Sequence, residues 1–131
     1  MNLLTITNEV LKIKNVSIKC VRILDIVPGP TDLRKGIDGY AHIIQDTFKL
    51  SPFQDALFIF CNRSRTMIKC LYWDKSGFWL LHKRLEEGRF KWEKSSDGLC
   101  MEISHRQLQW LLEGLKIHQK SAFKEQDPKY V

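Results

Sequence analysis

No run in this chain approaches the roughly 18 consecutive apolar residues that a membrane-spanning helix requires. Residues 1–10 carry neither a basic opening nor an uninterrupted apolar stretch, so no secretory leader is read there. Cysteine is sparse and scattered: Cys20, Cys61, Cys70 and Cys100 are widely spaced and none belongs to a C-x-x-C pair, which leaves metal clustering unsupported. No internal repeat and no low-complexity tract is found, which excludes a solenoid or a linker-dominated chain. The expectation is a soluble cytoplasmic protein that does not enter a membrane, with thiols reduced and mostly buried as small hydrophobes.

Catalytic signatures are equally thin. His42, His82, His105 and His118 are scattered without a Ser or Cys partner at interpretable spacing, so no nucleophilic triad is read. Asp25, Asp32, Asp38 and Asp74 could evoke a two-metal nuclease, but Asp32 and Asp74 have capping and turn roles, and Asp25 alone on a strand is no metal site. We expect no enzyme, no cofactor and no metal.

What is present is a globular chain. Its 131 residues fit one domain able to bury a core, and the 44% hydrophobic and 11% aromatic fractions are those of a folded protein. The net charge of +6 favours a polyanionic partner, although basic proteins often bind nothing acidic, so the positions of the cations matter more than their number. The four tryptophans read first as core or interface anchors. Residues 1–19 are read as an N-terminal extension, in which Leu11 and Ile13 alternate with lysines as in a short strand. Residues 20–117 are read as a single domain and 118–131 as a polar tail.

The chain is organised around residues 31–48. Pro28 and Pro30 close the preceding segment, and Thr31 or Asp32 is expected to cap a helix whose apolar stripe is Leu33, Ile37, Tyr40, Ala41, Ile44 and Phe48. Gly36 and Gly39 would each weaken such a helix by about 1 kcal/mol against Ala, so packing must offset them. Before it, residues 21–27 are β-branched and read as a strand. After Ser51 and Pro52 a meander of antiparallel strands is expected: 56–61, apolar throughout, then 66–73, 78–85 and 89–92. Residues 62–65, 74–77 and 86–88 turn between them, with Gly77 supplying a positive φ. In 89–92, Phe90 and Trp92 fall on one face and Arg89 and Lys91 on the other. A further turn at 95–98 leads to a short strand, 99–103. Ser104 with Gln107 then forms a capping box for a helix with the stripe Leu108, Leu111, Leu112 and Leu115, ended by Gly114. The predicted fold class is α+β: a mainly antiparallel sheet of about five or six strands packed with two helices.

Ordered blocks now carry a resemblance. They are Pro30-Thr31-Asp32-Leu33-Arg34-Lys35-Gly36-Ile37-Asp38-Gly39, Leu57-Phe58-Ile59-Phe60, Leu71-Tyr72-Trp73-Asp74-Lys75-Ser76-Gly77, Lys83-Arg84-Leu85-Glu86-Glu87-Gly88-Arg89-Phe90 and Leu111-Leu112-Glu113-Gly114. Together, over roughly residues 21–117, the chain resembles the small accessory protein of the insertion-sequence sixty-six family. That protein is the product of the element's second open reading frame, of the TnpB type, unrelated to the RNA-guided nuclease of that name. The resemblance implies a bacterial mobile-element protein that supports transposition beside a separate, larger transposase, and it brings no catalytic residues.

Two sets of cations are candidates for nucleic-acid contact. Arg34 and Lys35 would lie in the first turn of the organising helix. There they either hold a phosphate with the helix amides or pair with Asp38 while Asp32 caps. Arg63, Arg65, Lys69, Lys75, Lys83, Arg84, Arg89, Lys91 and Lys94 cluster in the meander. If one sheet face is solvated, Lys69, Lys83, Arg89 and Lys91 form a basic ridge beside Tyr72, Trp73, Trp79, Phe90 or Trp92; otherwise they are the ordinary charges of an exposed face. The expected contacts are Arg34, Lys35, Arg63, Arg65, Lys69, Lys83, Arg84, Arg89 and Lys91. Two functions follow: a DNA-binding accessory protein that helps assemble the transposase complex, or an interaction module that binds the transposase or another copy of itself without touching DNA. The meander's cations discriminate: on one contiguous face they favour the first, scattered they favour the second.

Overall fold

In the computed structural model, residues 21–94 and 97–120 are described. Five strands form one sheet: β1 (Ile23–Ile26), β2 (Ala56–Cys61), β3 (Met67–Trp73), β4 (Phe78–Arg84) and β5 (Met101–Ile103), in the order β4-β3-β2-β1-β5. β2, β3 and β4 are the expected antiparallel meander, and β5 pairs antiparallel with β1. The sheet is mainly antiparallel, as expected, but mixed: β1 pairs parallel with β2, Leu24 opposite Leu57 and Ile26 opposite Ile59. A parallel pair needs a crossover, and the organising helix supplies it.

Alternation along the strands sorts the core into two layers. Leu24, Ile26, Leu57, Ile59, Cys61, Ile68, Cys70 and Tyr72 point to one side, where they pack with Leu108 and Leu111 of helix α2 (His105–Leu112) and with Phe90, Trp92 and Ile117. Ala56, Phe58, Phe60 and Leu71 point to the other, against Tyr40 and Ile44 of the crossover helix. Every residue of β2 is therefore buried. The uninterrupted apolar run 56–61 is what a central strand covered on both faces requires.

The crossover helix is shorter than its apolar stripe predicts. Helix α1 spans Ile37–His42 and continues as a π-helical segment, Ile43–Thr47. Residues 31–36 are not helical. The amide of Thr31 donates to the Cys61 carbonyl, and Asp32 Oδ1 accepts from the amide of Arg34, so Asp32 makes a tight local turn two residues on and does not cap a helix. Gly36, in extended geometry (φ −95°, ψ −170°), is the N-cap and carries no helix-interior penalty. Gly39 is interior, and the Lys35 stem explains it: a Cβ at 39 would lie 2.9 Å from Lys35 Cβ. The stripe itself packs, since Leu33, Tyr40 and Ile44 are buried and Ile37, Ala41 and Phe48 are half-buried against the same layer.

Helix α2 follows its sequence signals closely. Gln107 N–H donates to Ser104 Oγ at 3.0 Å, and Ser104 N–H donates to Gln107 Oε1 at 2.8 Å, the reciprocal capping box. At the other end Gly114 takes φ +87°, its amide donating to the Leu111 carbonyl and that of Leu115 to Trp110, which closes the last turn. Leu115 lies beyond that closure and is 42% exposed, so it leaves the stripe.

Two further expectations change. In the β3–β4 turn Lys75, not Gly77, takes the positive φ (+79°). Asp74 fixes that turn: its Oδ1 accepts from Ser76 N–H, Ser76 Oγ and Gly77 N–H, and its Oδ2 accepts from the Trp79 indole at 2.7 Å. Residues 89–92 alternate as predicted but join no sheet. They run as an extended strap, with Phe90 and Trp92 buried, held by the Phe90 amide on the Arg65 carbonyl (2.7 Å) and the Trp92 indole on the Val27 carbonyl (3.0 Å). Cys61, Cys70 and Cys100 are free thiols pushed up to about 12, chiefly by burial, and at Cys100 also by Asp25. Cys20 and the Leu11/Ile13 reading lie outside the described residues. No described helix is long and apolar enough to cross a membrane.

Candidate nucleic-acid interface

The parallel pair directs the carboxyl ends of β1 and β2 to one end of the sheet, the end at which ligands enter many sheets built on parallel strands. There the β2–β3 connection forms a short hairpin tip. Asn62 holds it: Oδ1 accepts from the amides of Thr66 (2.9 Å) and Met67 (3.1 Å), and Nδ2 donates to Thr66 Oγ1. Ser64 Oγ lies 2.9 Å from Thr66 Oγ1. Arg63, Ser64 and Arg65 project from this brace into solvent, Arg65 at φ +61°.

Three neighbouring clefts surround the tip. The first, about 610 Å³, is lined by Arg34 and Arg63 together with Asp32 and Met67. The second, about 590 Å³, lies between the 29–30 loop and the strap and is lined by Arg63, Arg65, Glu93 and Lys94. The third adds Lys91 and Lys116 to Arg65 and Lys94. Arg63 belongs to the first two and Arg65 to the last two, so the clefts run into one another. Among the described residues six cations line them, beside the carboxylates of Asp32 and Glu93.

The candidate cations divide accordingly. Arg34, Arg63, Arg65 and Lys91 come together. Arg84, opposite Met67, and Arg89, next to the Phe90 that bonds the tip, border the same end. Arg34 is held by Asp32 through Nε–Oδ1 and Nη2–Oδ2 contacts of 2.9 Å, which keep the Asp32 carboxyl well below the usual range, while Arg84 reaches Glu86 at 3.2 Å. Arg34 and Lys35 are not in a first helical turn, so neither the phosphate site at that helix nor their pairing with Asp38 stands as predicted. Lys35 instead lies along α1, and its carbonyl accepts from Lys69 Nζ at 3.5 Å.

The predicted ridge of Lys69, Lys83, Arg89 and Lys91 does not form, because Lys69 and Lys83 lie on opposite faces of the sheet and residues 89–92 lie outside it. Lys69 is on the α1 side, its Nζ 5.8 Å from the Tyr40 ring centroid, whereas Lys83, opposite Ile68, is on the α2 side. Of the aromatics proposed beside it, Tyr72, Phe90 and Trp92 are buried and Trp73 and Trp79 half-buried. Sequence reasoning leaves Lys94 unassigned and misses Lys116. Lys94 stands in the meander cluster but is not among the expected contacts, and Lys116 arrives from a segment distant in sequence that no local pattern marks.

The opposite end of the sheet carries an aromatic cluster beside the Asp74 turn. Phe53, 56% exposed, stacks edge-on against Trp73 (centroids 5.0 Å apart) and beside Phe78 (5.4 Å). Among the described residues no group of three or more His, Cys, Asp or Glu is placed to hold a metal ion. Asp25, Asp32 and Asp74 stand on separate elements.

Comparison with known proteins decides the family. The family described as IS66 Orf2 like protein matches residues 23–122, most of the chain and all five strands. The chain belongs to the IS66 Orf2-like family. It is an accessory protein of an insertion sequence. It is 40% identical over 90 residues to the uncharacterized protein y4hO of Sinorhizobium fredii, covering 69% of this chain and 77% of that protein. It is 30% identical over 86 residues to the uncharacterized protein y4jC of the same organism, covering 66% and 73%. No solved structure gives a significant match. The family match ends just past Lys116, so the strap, the hairpin tip and the clefts all fall within it.

Proposed function

We propose that this IS66 Orf2-like protein binds DNA at its basic end and helps assemble the transposase complex there, without catalysing a reaction itself. The observation that carries this reading is continuity: Arg34, Arg63, Arg65, Lys91, Lys94 and Lys116 line clefts that share residues. The cations form one surface at one end of the molecule, and cations so gathered act together on a polyanion.

Fluorescence anisotropy with duplex DNA across a salt series tests it. If five or six phosphates are neutralised, the logarithm of affinity falls against log salt with a slope near −5, and losing one cleft cation reduces the slope by about one. Lys69→Ala, whose ammonium is occupied at the Tyr40 ring, leaves the slope unchanged. Absence of binding at low salt by the folded protein would refute the proposal.

A second reading rests on the Phe53, Trp73 and Phe78 cluster at the far end, where an exposed aromatic group fits a protein partner better than DNA. Capture of the cognate transposase with and without element-end DNA separates the two. Capture that fails in Phe53→Ala and is indifferent to DNA supports the interaction module. Capture that requires DNA supports the basic end as the working surface.

A further inference from the structure

Resting on the reading of the basic end as a DNA surface, we propose that the β2–β3 hairpin tip docks in the minor groove of duplex DNA. Arg63 and Arg65 would reach the groove, and the flanking clefts would receive the two phosphate backbones. Four features of the molecule lead there.

The first is rigidity. Asn62 ties the tip through three hydrogen bonds, so its two arginines are presented from a fixed base, with little ordering left to offset on binding. The second is freedom of the charge: Arg63 and Arg65 are exposed, and neither forms an ion pair among the described residues, whereas Arg34 and Arg84 do.

The third is that the described residues offer no free element for the major groove. That groove takes a helix or a two-stranded ribbon. Here both faces of the β2–β3 ribbon are buried, so only the tip projects. Helix α1 is short, and the exposed side of it and its π-helical continuation carries Asp38 and Asp46. Helix α2 turns its carboxyl-terminal end to the clefts, since Lys116 follows its closing Gly114. What remains among the described residues enters a groove through long side chains.

The fourth is the choice of cation. The tip carries arginines, while the wall of the third cleft beyond it carries lysines, Lys91, Lys94 and Lys116. Guanidinium is more weakly hydrated than ammonium and sheds water more readily to enter a narrow groove of strongly negative potential. Lysines suit the phosphate rims, where they stay hydrated. One cleft is lined by Arg63 with Arg34 and another by Arg65 with Lys91, Lys94 and Lys116, so each arginine of the tip has a cationic cleft beside it for a backbone.

The test uses the full chain and three short duplexes of common flanks whose central step is A·T, G·C or inosine·C. Inosine·C keeps the major-groove pattern of G·C but lacks the amino group in the minor groove. Docking by the tip predicts that A·T and inosine·C duplexes bind alike, about ten-fold tighter than G·C, the size of a single unfavourable base pair. In R63A/R65A the three affinities converge, with an unchanged melting temperature as the control for folding. In K94A all three weaken by a similar factor. Equal binding of G·C and inosine·C, or an A·T preference that survives in R63A/R65A, would overturn the minor-groove assignment while leaving DNA binding standing. No binding to any duplex would overturn the DNA reading itself, and this inference with it.

Discussion

Replacing Asp25 with Asn is expected to stabilise the protein at neutral pH and to change little in acid. Asp25 sits on β1, between β2 and β5, is 9% exposed, and faces Glu102 across the antiparallel pair. No group among the described residues donates a hydrogen bond to its carboxylate. Burial, and secondarily the charge of Glu102, therefore hold its carboxyl above the ordinary 3.8. The sign follows from linkage: the folded state binds this proton more tightly than the unfolded chain, so stability is greatest below the unfolded value and falls as pH rises through the folded one. At neutral pH the charge must be buried unpaired or the proton retained at a cost. A buried polar group left unsatisfied costs about 1–3 kcal/mol. Asn removes the charge but still buries an amide, so the gain lies near the low end, about 1 kcal/mol. With a urea dependence of about 1–2 kcal/mol per M, the unfolding midpoint rises by roughly 0.5–1 M at pH 7 and converges with the parent below the ordinary carboxylate range. Glu102→Gln moves it the same way by less. A variant less stable than the parent at pH 7, or more stable by the same amount at every pH, would refute the account of Asp25 as an unpaired buried acid.

Other perturbations probe the helices and the tip. Leu111→Ala, at a fully buried position, costs about 2–5 kcal/mol in denaturant unfolding. Gly39→Ala lowers the melting temperature because its Cβ meets Lys35 Cβ, and a rise would remove that packing explanation. Gly36→Ser supplies the missing acceptor at the α1 N-cap and restricts the unfolded chain, for a gain of about 0.5–1 kcal/mol read as a higher midpoint. Asn62→Ala, which leaves the Thr66 and Met67 amides unsatisfied, costs about 1–3 kcal/mol. It is also expected to weaken DNA binding beyond what any change in folded fraction explains, measured by anisotropy below the unfolding transition.

Much of this fold is legible because its determinants are local. The apolar run 56–61 identifies a strand covered on both faces, and the spacing of Ser104, Gln107 and Gly114 gives both ends of α2. The organising helix is misplaced at its start for an equally local reason. Asp32 resembles a cap, but its carboxylate bonds the Arg34 amide, and Gly36 takes over as N-cap. Strand direction is different, since nothing in residues 23–26 distinguishes a parallel from an antiparallel neighbour. That choice is made by the crossover and by β5 arriving on the other side. The alternation of 89–92 is real, but the partner of Phe90 and Trp92 is a layer of the core, not a sheet. With β2 covered on both faces, the cations of the hairpin tip and strap gather at the end of the sheet. Half of that end is readable in the Arg63–Arg65 turn, and the other half depends on Lys116 coming back from the far side of α2.

The position of β5 also has a kinetic meaning. The β2–β3 and β3–β4 pairings close turns of a few residues, whereas pairing β1 with β5 closes a loop of about 75, an added entropic cost of roughly 2 kcal/mol. The meander can form early, and β5 with α2 would then be the last unit to dock and the first to detach. Native-state hydrogen exchange should register this as protection that is high in β2 and β3 and lower in β5 and α2. Each such opening would loosen the segment that carries Lys116 to the clefts, so occupancy of the basic end should slow exchange in a helix that need not touch the ligand.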